Sequence, residues 1–219
     1  MTLLVHPPPT HRLAIFALAA LCITWPPAAS SFVVGITPGT RALFLQVGVG
    51  TMSGNTFNQG GVPGNNTVVN TASVTIPAAQ LGSGAAQAMT TNSTVAASPF
   101  DGFAFCNTPA TTGQVYVGGF YRIPGSTGSA ASLTVTTPTS LTNSAGATIP
   151  FNQVAWTASG NQDTVATIAN GAFTGATQTL LSVATNNWFE SCLAFRYLNT
   201  TVVPAGTFNG RATYTLSAP

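Results

Sequence analysis

Histidine and lysine are almost absent from this 219-residue chain. No lysine occurs at all, and the two histidines, His6 and His11, lie within the first thirty residues. The charged side chains after residue 30 are four arginines and three acids: Arg41, Arg122, Arg196, Arg211, Asp101, Asp163 and Glu190. Enzymes move protons with titratable residues, and metal sites take their ligands from the same group. The scarcity of these residues predicts a protein that is not an enzyme and that binds no metal or cofactor.

The aspartates and the many hydroxyl side chains do not complete a catalytic pattern. Asp101 is followed directly by Gly102, and Asp163 is followed by Thr164 and Val165, so neither provides the Asp-Thr/Ser-Gly sequence of an aspartic dyad. A serine nucleophile needs a neighbouring base such as histidine or lysine. Calcium takes about six to eight oxygen ligands, several of them carboxylates, and one aspartate supplies too few. We therefore predict no catalytic, cofactor-binding or metal-binding residues.

The low charge also bears on the choice of partner. Residues 31–219 carry four arginines against three acids, a formal net charge of about +1. Proteins that bind nucleic acid concentrate lysine and arginine on one face, and no such cluster occurs here. We predict no nucleic-acid partner.

The first thirty residues have the layout of an export signal. A polar start ends at Arg12, an apolar run covers residues 13–25, and Ala28 and Ser30 are small residues placed for cleavage after position 30. An apolar helix of this length spans roughly 20 Å, less than the roughly 30 Å core of a bilayer. Residues 1–30 are therefore predicted to be a signal peptide, and residues 31–219 a single domain with no membrane span. We expect the protein to be secreted or on the cell surface, in the periplasm or outside the cell.

Two cysteines follow the predicted signal, Cys106 and Cys192. An even number in an exported chain favours a disulfide, because oxidising compartments form and retain such bonds. The rival interpretation is a reactive thiol, which needs a nearby histidine or other cation to lower its pKa. No histidine follows residue 30. The sequence predicts one disulfide, Cys106–Cys192.

The pattern along the chain is that of β-strands. Runs rich in Val, Thr, Phe and Tyr alternate with clusters of Gly, Asn, Ser and Pro, as in the alternation of Leu43, Leu45, Val47 and Val49. About nine or ten such runs occur, without the rhythm of strand, helix and strand that builds a parallel sheet. We predict an all-β fold, an antiparallel β-sandwich of immunoglobulin-like or jelly-roll-like architecture.

Two segments carry the clearest loop and bend signals. Residues 50–66 are rich in Gly and Asn and are predicted to form an exposed, mobile loop. Gly118 and Gly119 interrupt an otherwise strand-like run, residues 114–122, and predict a bulge or a tight bend.

The few charged residues suggest two local arrangements. Glu190, Arg196 and Arg211 lie near or within the last predicted strands, and we expect them to form a structural ion-pair group. Phe120, Tyr121 and Arg122 are consecutive, and are the best candidate for an exposed aromatic and cationic patch that binds a ligand such as a sugar.

The C-terminal sequence Val-Pro-Ala-Gly-Thr-Phe-Asn-Gly-Arg-Ala-Thr-Tyr-Thr-Leu, residues 203–216, resembles a recurring hairpin of bacterial secreted proteins. This hairpin closes the β-sandwich of spore-coat-U-like domains and of fimbrial subunits of archaic chaperone–usher pili. Residues 141–150 are similar to a strand–turn–strand unit of such surface domains. The resemblance implies an extracellular immunoglobulin-like sandwich with a structural or adhesive role and assembly by strand exchange.

Two classes of function follow from these observations. The first is an exported, non-enzymatic structural or adhesive surface protein, a fimbria-like subunit that assembles with copies of itself by β-strand addition. Residues 31–50 are the predicted donor segment. The alternative is a secreted carbohydrate- or ligand-binding β-sandwich module, whose partner would be a surface glycan.

Overall fold

The computed structural model describes residues 33–64, 68–106, 113–160 and 166–219. The predicted signal peptide, residues 1–30, lies outside these ranges, as does Asp163. None of the helical turns in the described ranges has the length and apolar character of a membrane span.

Antiparallel strands make up most of the regular structure in the described residues. There are sixteen, joined by turns and by three short 3-10 helices. The strands are β1 Val33–Gly35, β2 Ala42–Val47, β3 Met52–Ser53, β4 Val62–Pro63, β5 Ala72–Ser73, β6 Gln87–Ala88, β7 Thr90–Thr91, β8 Gln114–Arg122, β9 Ala131–Thr136, β10 Ser140–Thr142, β11 Thr148–Pro150, β12 Val154–Ser159, β13 Gly171–Ala172, β14 Thr177–Val183, β15 Asn187–Tyr197 and β16 Thr213–Ser217. The helices span Phe57–Gln59, Ala78–Gln80 and Phe151–Gln153. The prediction of an all-β, antiparallel fold is confirmed.

The number of strands exceeds the nine or ten expected. The additional strands are short, as in the two-residue pairs β3–β4 and β5–β7. A two-residue strand shows no alternation of apolar and polar residues, so a sequence pattern cannot reveal it. Such pairs form where two loop segments are held side by side by the rest of the fold.

The larger sheet is organised around β15, an eleven-residue strand. Seven strands form this sheet, in the order β13-β12-β15-β8-β2, with β1 and β6 also paired to β15. The first residues of β15 pair with both β1 and β8, and its last residues pair with both β12 and β6. β15 therefore pairs with four other strands, which makes it the centre of the sheet.

A three-stranded sheet, in the order β14-β9-β16, packs against one face of the larger sheet. Alternate side chains of the two sheets meet in a shared core. Among its most buried members are Val117, Leu133, Trp156, Phe189 and Leu193. The two sheets thus form a sandwich, as the sequence predicted.

The opposite, outer face of the larger sheet is also covered. β8 is buried along almost its whole length, because its alternate side chains Tyr116 and Phe120 point away from the sandwich core and pack beneath loop residues. The ring centroid of Phe57 lies 4.8 Å from that of Phe120 and 5.0 Å from that of Trp188. Most of residues 50–64 are exposed, as predicted for this loop, but Met52 and Phe57 are partly buried against the outer face of the larger sheet. Apolar side chains on both faces of β8 and β15 require this cover.

The described part of the predicted donor segment 31–50, residues 33–50, is already paired within its own chain. β1 pairs with β15 from Val33 to Gly35, and β2 pairs with β8 from Ala42 to Val47. Leu45 and Val47 pack against the sandwich core. The segment is a structural part of the larger sheet, because its alternating apolar residues find their partners inside the same chain.

An asparagine in the left-handed conformation stands near each end of β15. Asn186 and Asn199 both have φ of 56°, a region that asparagine tolerates better than most residues. The Asn186 side chain accepts a hydrogen bond from the Ile123 amide and donates one to the Gly125 carbonyl. The Asn199 side chain accepts a hydrogen bond from the amide of Gly82. Each asparagine turns the chain and fastens a distant loop to the central strand.

Candidate functional site

A buried carboxyl group lies at the middle of the larger sheet. Glu190, on β15, is fully enclosed, with 0% of its surface exposed. Tyr116 donates its hydroxyl hydrogen to Oε2 of Glu190 at 2.7 Å, and the indole nitrogen of Trp188 donates to the same oxygen at 3.2 Å. The Ser98 hydroxyl lies 2.9 Å from both carboxyl oxygens. Both oxygens therefore have partners, and all three partners are neutral.

The alternation of β15 places this carboxyl on the outer face. Trp188, Glu190 and Cys192 point outward, while Phe189 and Leu193 point into the sandwich core. A strand of this kind can hold a polar group on one face while contributing to the main core with the other.

Gly118 makes room for the contact between Tyr116 and Glu190. It stands opposite Glu190 in the pairing of β8 with β15. A methyl group at Gly118 would overlap the Tyr116 hydroxyl and would come within 2.9 Å of Cβ of Glu190. The predicted bulge at Gly118 and Gly119 is not present, because both residues keep regular pairing with β2 and β15. The glycine is needed for close approach rather than for a bend.

Ser98 reaches Glu190 from a tight turn in the loop residues 52–57 and 95–106, which cover the outer face of the larger sheet and are called the covering layer below. The Ser98 amide donates to the Phe103 carbonyl, and the Gly102 amide donates to the Ser98 carbonyl, both at 2.8 Å. The Ser98 hydroxyl also accepts a hydrogen bond from the Phe100 amide. The turn thus holds the hydroxyl in place above the carboxyl group.

The disulfide anchors residues 95–106 of the covering layer, which are called the covering segment below. Cys106 and Cys192 are bonded, with their Cα atoms 5.5 Å apart, which confirms the predicted pair. Both cysteines pack with Phe105 and Tyr116 in a small buried cluster. The covering segment is therefore tied to β15 at two neighbouring points, covalently at Cys192 and by hydrogen bonds at Glu190.

Burial raises the pKa of Glu190 from its ordinary value of 4.5 to about 7. The hydrogen bonds from Tyr116, Ser98 and Trp188 oppose this shift, and the charge of Asp101 adds to it. Burial, followed by the charge of Glu190, also raises the pKa of Tyr116 well above its ordinary value. Tyr116 therefore remains a proton donor at neutral pH, where Glu190 is present in both protonated and ionised forms. The Glu190 carboxyl group is fully enclosed, so its ionisation places a charge inside the packed structure.

The predicted ion-pair group is not assembled. Glu190 is buried with neutral partners, whereas Arg196 and Arg211 are exposed. Arg196 lies six residues further along β15, about 20 Å away, and Arg211 precedes a strand of the other sheet. The prediction is wrong because burying an arginine beside Glu190 would require removing its hydration, while hydroxyl and indole donors are buried at lower cost.

The predicted ligand patch is also wrong. Phe120 and Tyr121 are each 2% exposed, because β8 is an inner strand covered on both faces. Arg122 is partly exposed, and its Nε donates to the Thr40 carbonyl at 3.3 Å. Its guanidinium carbon lies 5.8 Å from the ring centroid of Phe120. Three consecutive residues of a strand point to alternate faces, so they do not form one aromatic surface.

An aromatic cluster that the sequence analysis missed borders Glu190. Its ring centroids lie 4.8 to 6.3 Å apart. The members are Phe44, Phe57, Phe100, Phe120 and Trp188. The sequence signal for this cluster was the phenylalanines at positions 57 and 100. They lie in polar, glycine-rich segments, where an apolar ring indicates burial against another part of the fold.

An open surface cavity of about 430 Å³, a depression rather than an enclosed pocket, adjoins this layer. Its walls include Gln46, Met52, Asn55, Thr94 and Pro99, and none of its lining residues is charged. Gln46 on β2 pairs with Gly118 on β8, and Gly118 pairs with Glu190 on β15. One strand, β8, therefore separates this wall of the cavity from Glu190. In the part of the chain that the structure describes, no three His, Cys, Asp or Glu side chains come together in a way that could hold a metal ion.

Comparison of the chain with protein-family models, with curated proteins and with solved structures yields no match.

Proposed function

We propose that this chain is an exported, non-enzymatic structural or adhesive surface protein whose copies associate by β-strand addition, in the manner of a fimbrial subunit. The observation that carries the proposal is the edge formed by β14, Thr177–Val183. Among the described strands β14 pairs with β9 alone, so its other side offers backbone donors and acceptors. Such an edge is a template for another strand.

The β14 edge has little of the protection that natural sheet edges usually carry. Its sequence, Thr-Gln-Thr-Leu-Leu-Ser-Val, has no charged residue and no proline. A shift in register between Thr179 and Leu181 is its one irregularity. Edge strands of monomeric proteins are commonly blocked by lysine, by proline or by a covering loop. An edge seven residues long whose protection is limited to this irregularity is therefore better suited to association than to a monomer.

The disulfide Cys106–Cys192 supports the part of the proposal that concerns export. Such bonds persist mainly in oxidising compartments. Since residues 31–50 are engaged in their own sheet, the association proposed here joins the edges of two folded copies. Pairing of β14 with the opposite edge strand, β16, of the next copy would continue the sheet without closing it, which is the arrangement that produces fibres.

The test is light scattering after size-exclusion chromatography, with negative-stain microscopy, on the purified chain and two variants. Thr179→Lys places a charge on the β14 edge, and Thr134→Lys places the same charge on β9, in the same rung and on the same face. We expect the unmodified chain and Thr134→Lys to associate and Thr179→Lys to remain monomeric. A chain that stays monomeric at high concentration would overturn the proposal, as would equal loss of association in both variants.

The alternative function, a secreted ligand-binding module, is favoured by the cavity next to Gln46. Its uncharged mixture of polar and apolar walls suits a neutral sugar or a similar molecule. Titration calorimetry with a panel of neutral monosaccharides would test it. Binding that is lost in Thr94→Trp, which fills the cavity, and kept in Thr207→Trp, on the exposed surface, would support this alternative.

A further inference from the structure

The outward face of the three-stranded sheet carries an ordered array of hydroxyl groups. In the register of its strands, every outward position of β9 stands between an outward position of β14 and one of β16. The three rungs are Thr177–Thr136–Thr213, Thr179–Thr134–Thr215 and Ser182–Ser132–Ser217. All nine residues are threonine or serine, and the face they form is called the hydroxyl ladder below.

The ladder is open to solvent. Its spacing is regular along β9 and β16, whereas the pairing register of β14 shifts between Thr179 and Leu181. Its six outer residues, on β14 and β16, are exposed, and its central ones on β9 are partly or fully exposed. Neighbouring strands lie about 4.8 Å apart, and residues two positions apart along a strand lie about 6.8 Å apart. Within the array, the Thr136 and Thr177 hydroxyl oxygens are 2.8 Å apart, a hydrogen bond between two strands. The Thr134 hydroxyl donates to the Thr215 carbonyl at 3.5 Å. The side chains of the ladder therefore form a two-dimensional array with two unequal repeats, while individual hydroxyl groups turn toward neighbouring partners.

The chemistry of the ladder argues against most classes of partner. None of its nine positions is charged, so it has no attraction for nucleic acid or for an anionic membrane. None is aromatic, whereas sugar-binding surfaces and the centres of protein interfaces are rich in aromatic rings. An ordered lattice of uncharged hydroxyls is specific chiefly for a partner that is itself a lattice of hydrogen-bonding groups.

We propose that the hydroxyl ladder binds the surface of ice. The repeats of the side-chain positions across and along the strands are similar to the two repeats of water oxygens on the prism face of hexagonal ice, so successive threonine side chains can meet successive lattice positions. Six of the nine residues are threonine, whose methyl group adds apolar contact beside each hydroxyl. The sheet holds the hydroxyl-bearing side chains in place before binding, which lowers the entropy cost of making many weak contacts together. This inference goes beyond the proposed function and does not depend on association between copies.

The experiment measures inhibition of ice recrystallisation and thermal hysteresis with the purified chain. Thr134→Lys places a charge at the centre of the ladder, and Thr207→Lys places the same charge at an exposed position outside it. Circular dichroism and melting temperature establish that both variants are folded. We expect Thr134→Lys to need about tenfold more protein for the same inhibition, a ratio that corresponds to about 1.4 kcal/mol of binding free energy. Thr207→Lys is expected to match the unmodified chain.

Two results would overturn the inference: no effect of the unmodified chain on ice growth, or equal loss of activity in both variants. A chain that associates through β14 without affecting ice growth contradicts this inference alone. Ice-growth inhibition by a strictly monomeric chain supports this inference and contradicts the proposed function instead.

Discussion

Tyr116 on β8 donates its hydroxyl hydrogen to Oε2 of Glu190 on β15, across 2.7 Å. This contact joins two adjacent strands of the larger sheet on the face that the covering layer closes. Because Ser98 in that layer reaches the same carboxyl group, Glu190 links the sheet to its cover. The stability of the covering layer is therefore expected to depend on the state of this one side chain.

Stability should decrease as pH rises through the titration range of Glu190. The pKa in the folded state, about 7, lies above the ordinary value of 4.5, so the folded protein binds more protons than the unfolded chain between these values. The stabilising contribution is fully present below pH 4.5 and is lost as pH rises to about 7. At about 1.4 kcal/mol per pKa unit, the loss is on the order of 3 kcal/mol.

Urea denaturation at a series of pH values from 4.5 to 8 measures this dependence. Glu190→Gln is the control, since its side chain does not titrate and keeps nearly the same shape. In Glu190→Gln, most of the decrease in the free energy of unfolding with rising pH should be absent over this interval. A free energy of unfolding that rises with pH in the unmodified chain, or a slope unchanged in Glu190→Gln, would contradict the prediction.

Gly118→Ala should destabilise the protein by about 1 to 3 kcal/mol, the range for adding a methyl group to a packed interior. The new methyl group would displace the Tyr116 ring from Glu190. Gly35→Ala on β1 is the matched control, because its added methyl group would lie 3.9 Å from its nearest neighbour, Oδ1 of Asn187. Thermal unfolding of both variants should show a lower melting temperature for Gly118→Ala alone. Equal melting temperatures would mean that the close approach at Gly118 is unimportant.

Removing the disulfide should lower the free energy of unfolding by about 4 to 5 kcal/mol, from the entropy of closing a loop this long. The sequence separation of the two cysteines is 86 residues. The double variant Cys106→Ala with Cys192→Ala should also make the covering segment more accessible to proteases, because the disulfide ties that segment to β15. Limited proteolysis and urea denaturation give the two readouts. The unmodified chain under reducing conditions should behave like the double variant, and a difference between them would point to damage from the substitutions.

Phe57→Ala should cost about 1 to 3 kcal/mol, less than a fully buried phenylalanine because Phe57 is partly exposed, if the segment around it is a true second core layer. Its ring packs on Phe100, Phe120 and Trp188. Val62→Ala, at a position 58% exposed in the same segment, should change stability by less than about 0.5 kcal/mol. Denaturant midpoints for the two variants provide the comparison. A negligible effect of Phe57→Ala on stability would mean that the loop around this residue is an ordinary surface loop and not part of a second core layer.

Local patterns of the sequence were sufficient for the class of fold. The alternation seen in Leu43, Leu45 and Val47 predicted a strand, and β2 covers these residues. The disulfide followed from the number of cysteines and the predicted export. The strand was predicted from neighbouring residues and the disulfide from a count of cysteines. Neither prediction required knowledge of the tertiary structure.

Local patterns failed where burial depends on the order of strands. Phe120 and Tyr121 were expected on the surface, yet β8 has partners on both sides and cover on both faces. Asn186 and Asn199 gave no signal beyond their residue type, although they fasten loops far away in sequence. Nothing in a stretch of nine residues tells whether the strand it forms lies at the centre or at the edge of a sheet.

The amino-acid sequence by itself determined that this protein is all-β, poor in titratable groups and cross-linked once, because alternation and composition act locally. Tertiary structure alone decided that Glu190 is buried against Tyr116 and Ser98, which lie 74 and 92 positions away. It also aligned three strands so that their outward threonine and serine side chains form the hydroxyl ladder. Contacts over such distances depend on which strands become neighbours, and the free energy that selects the neighbours belongs to the packed chain as a whole.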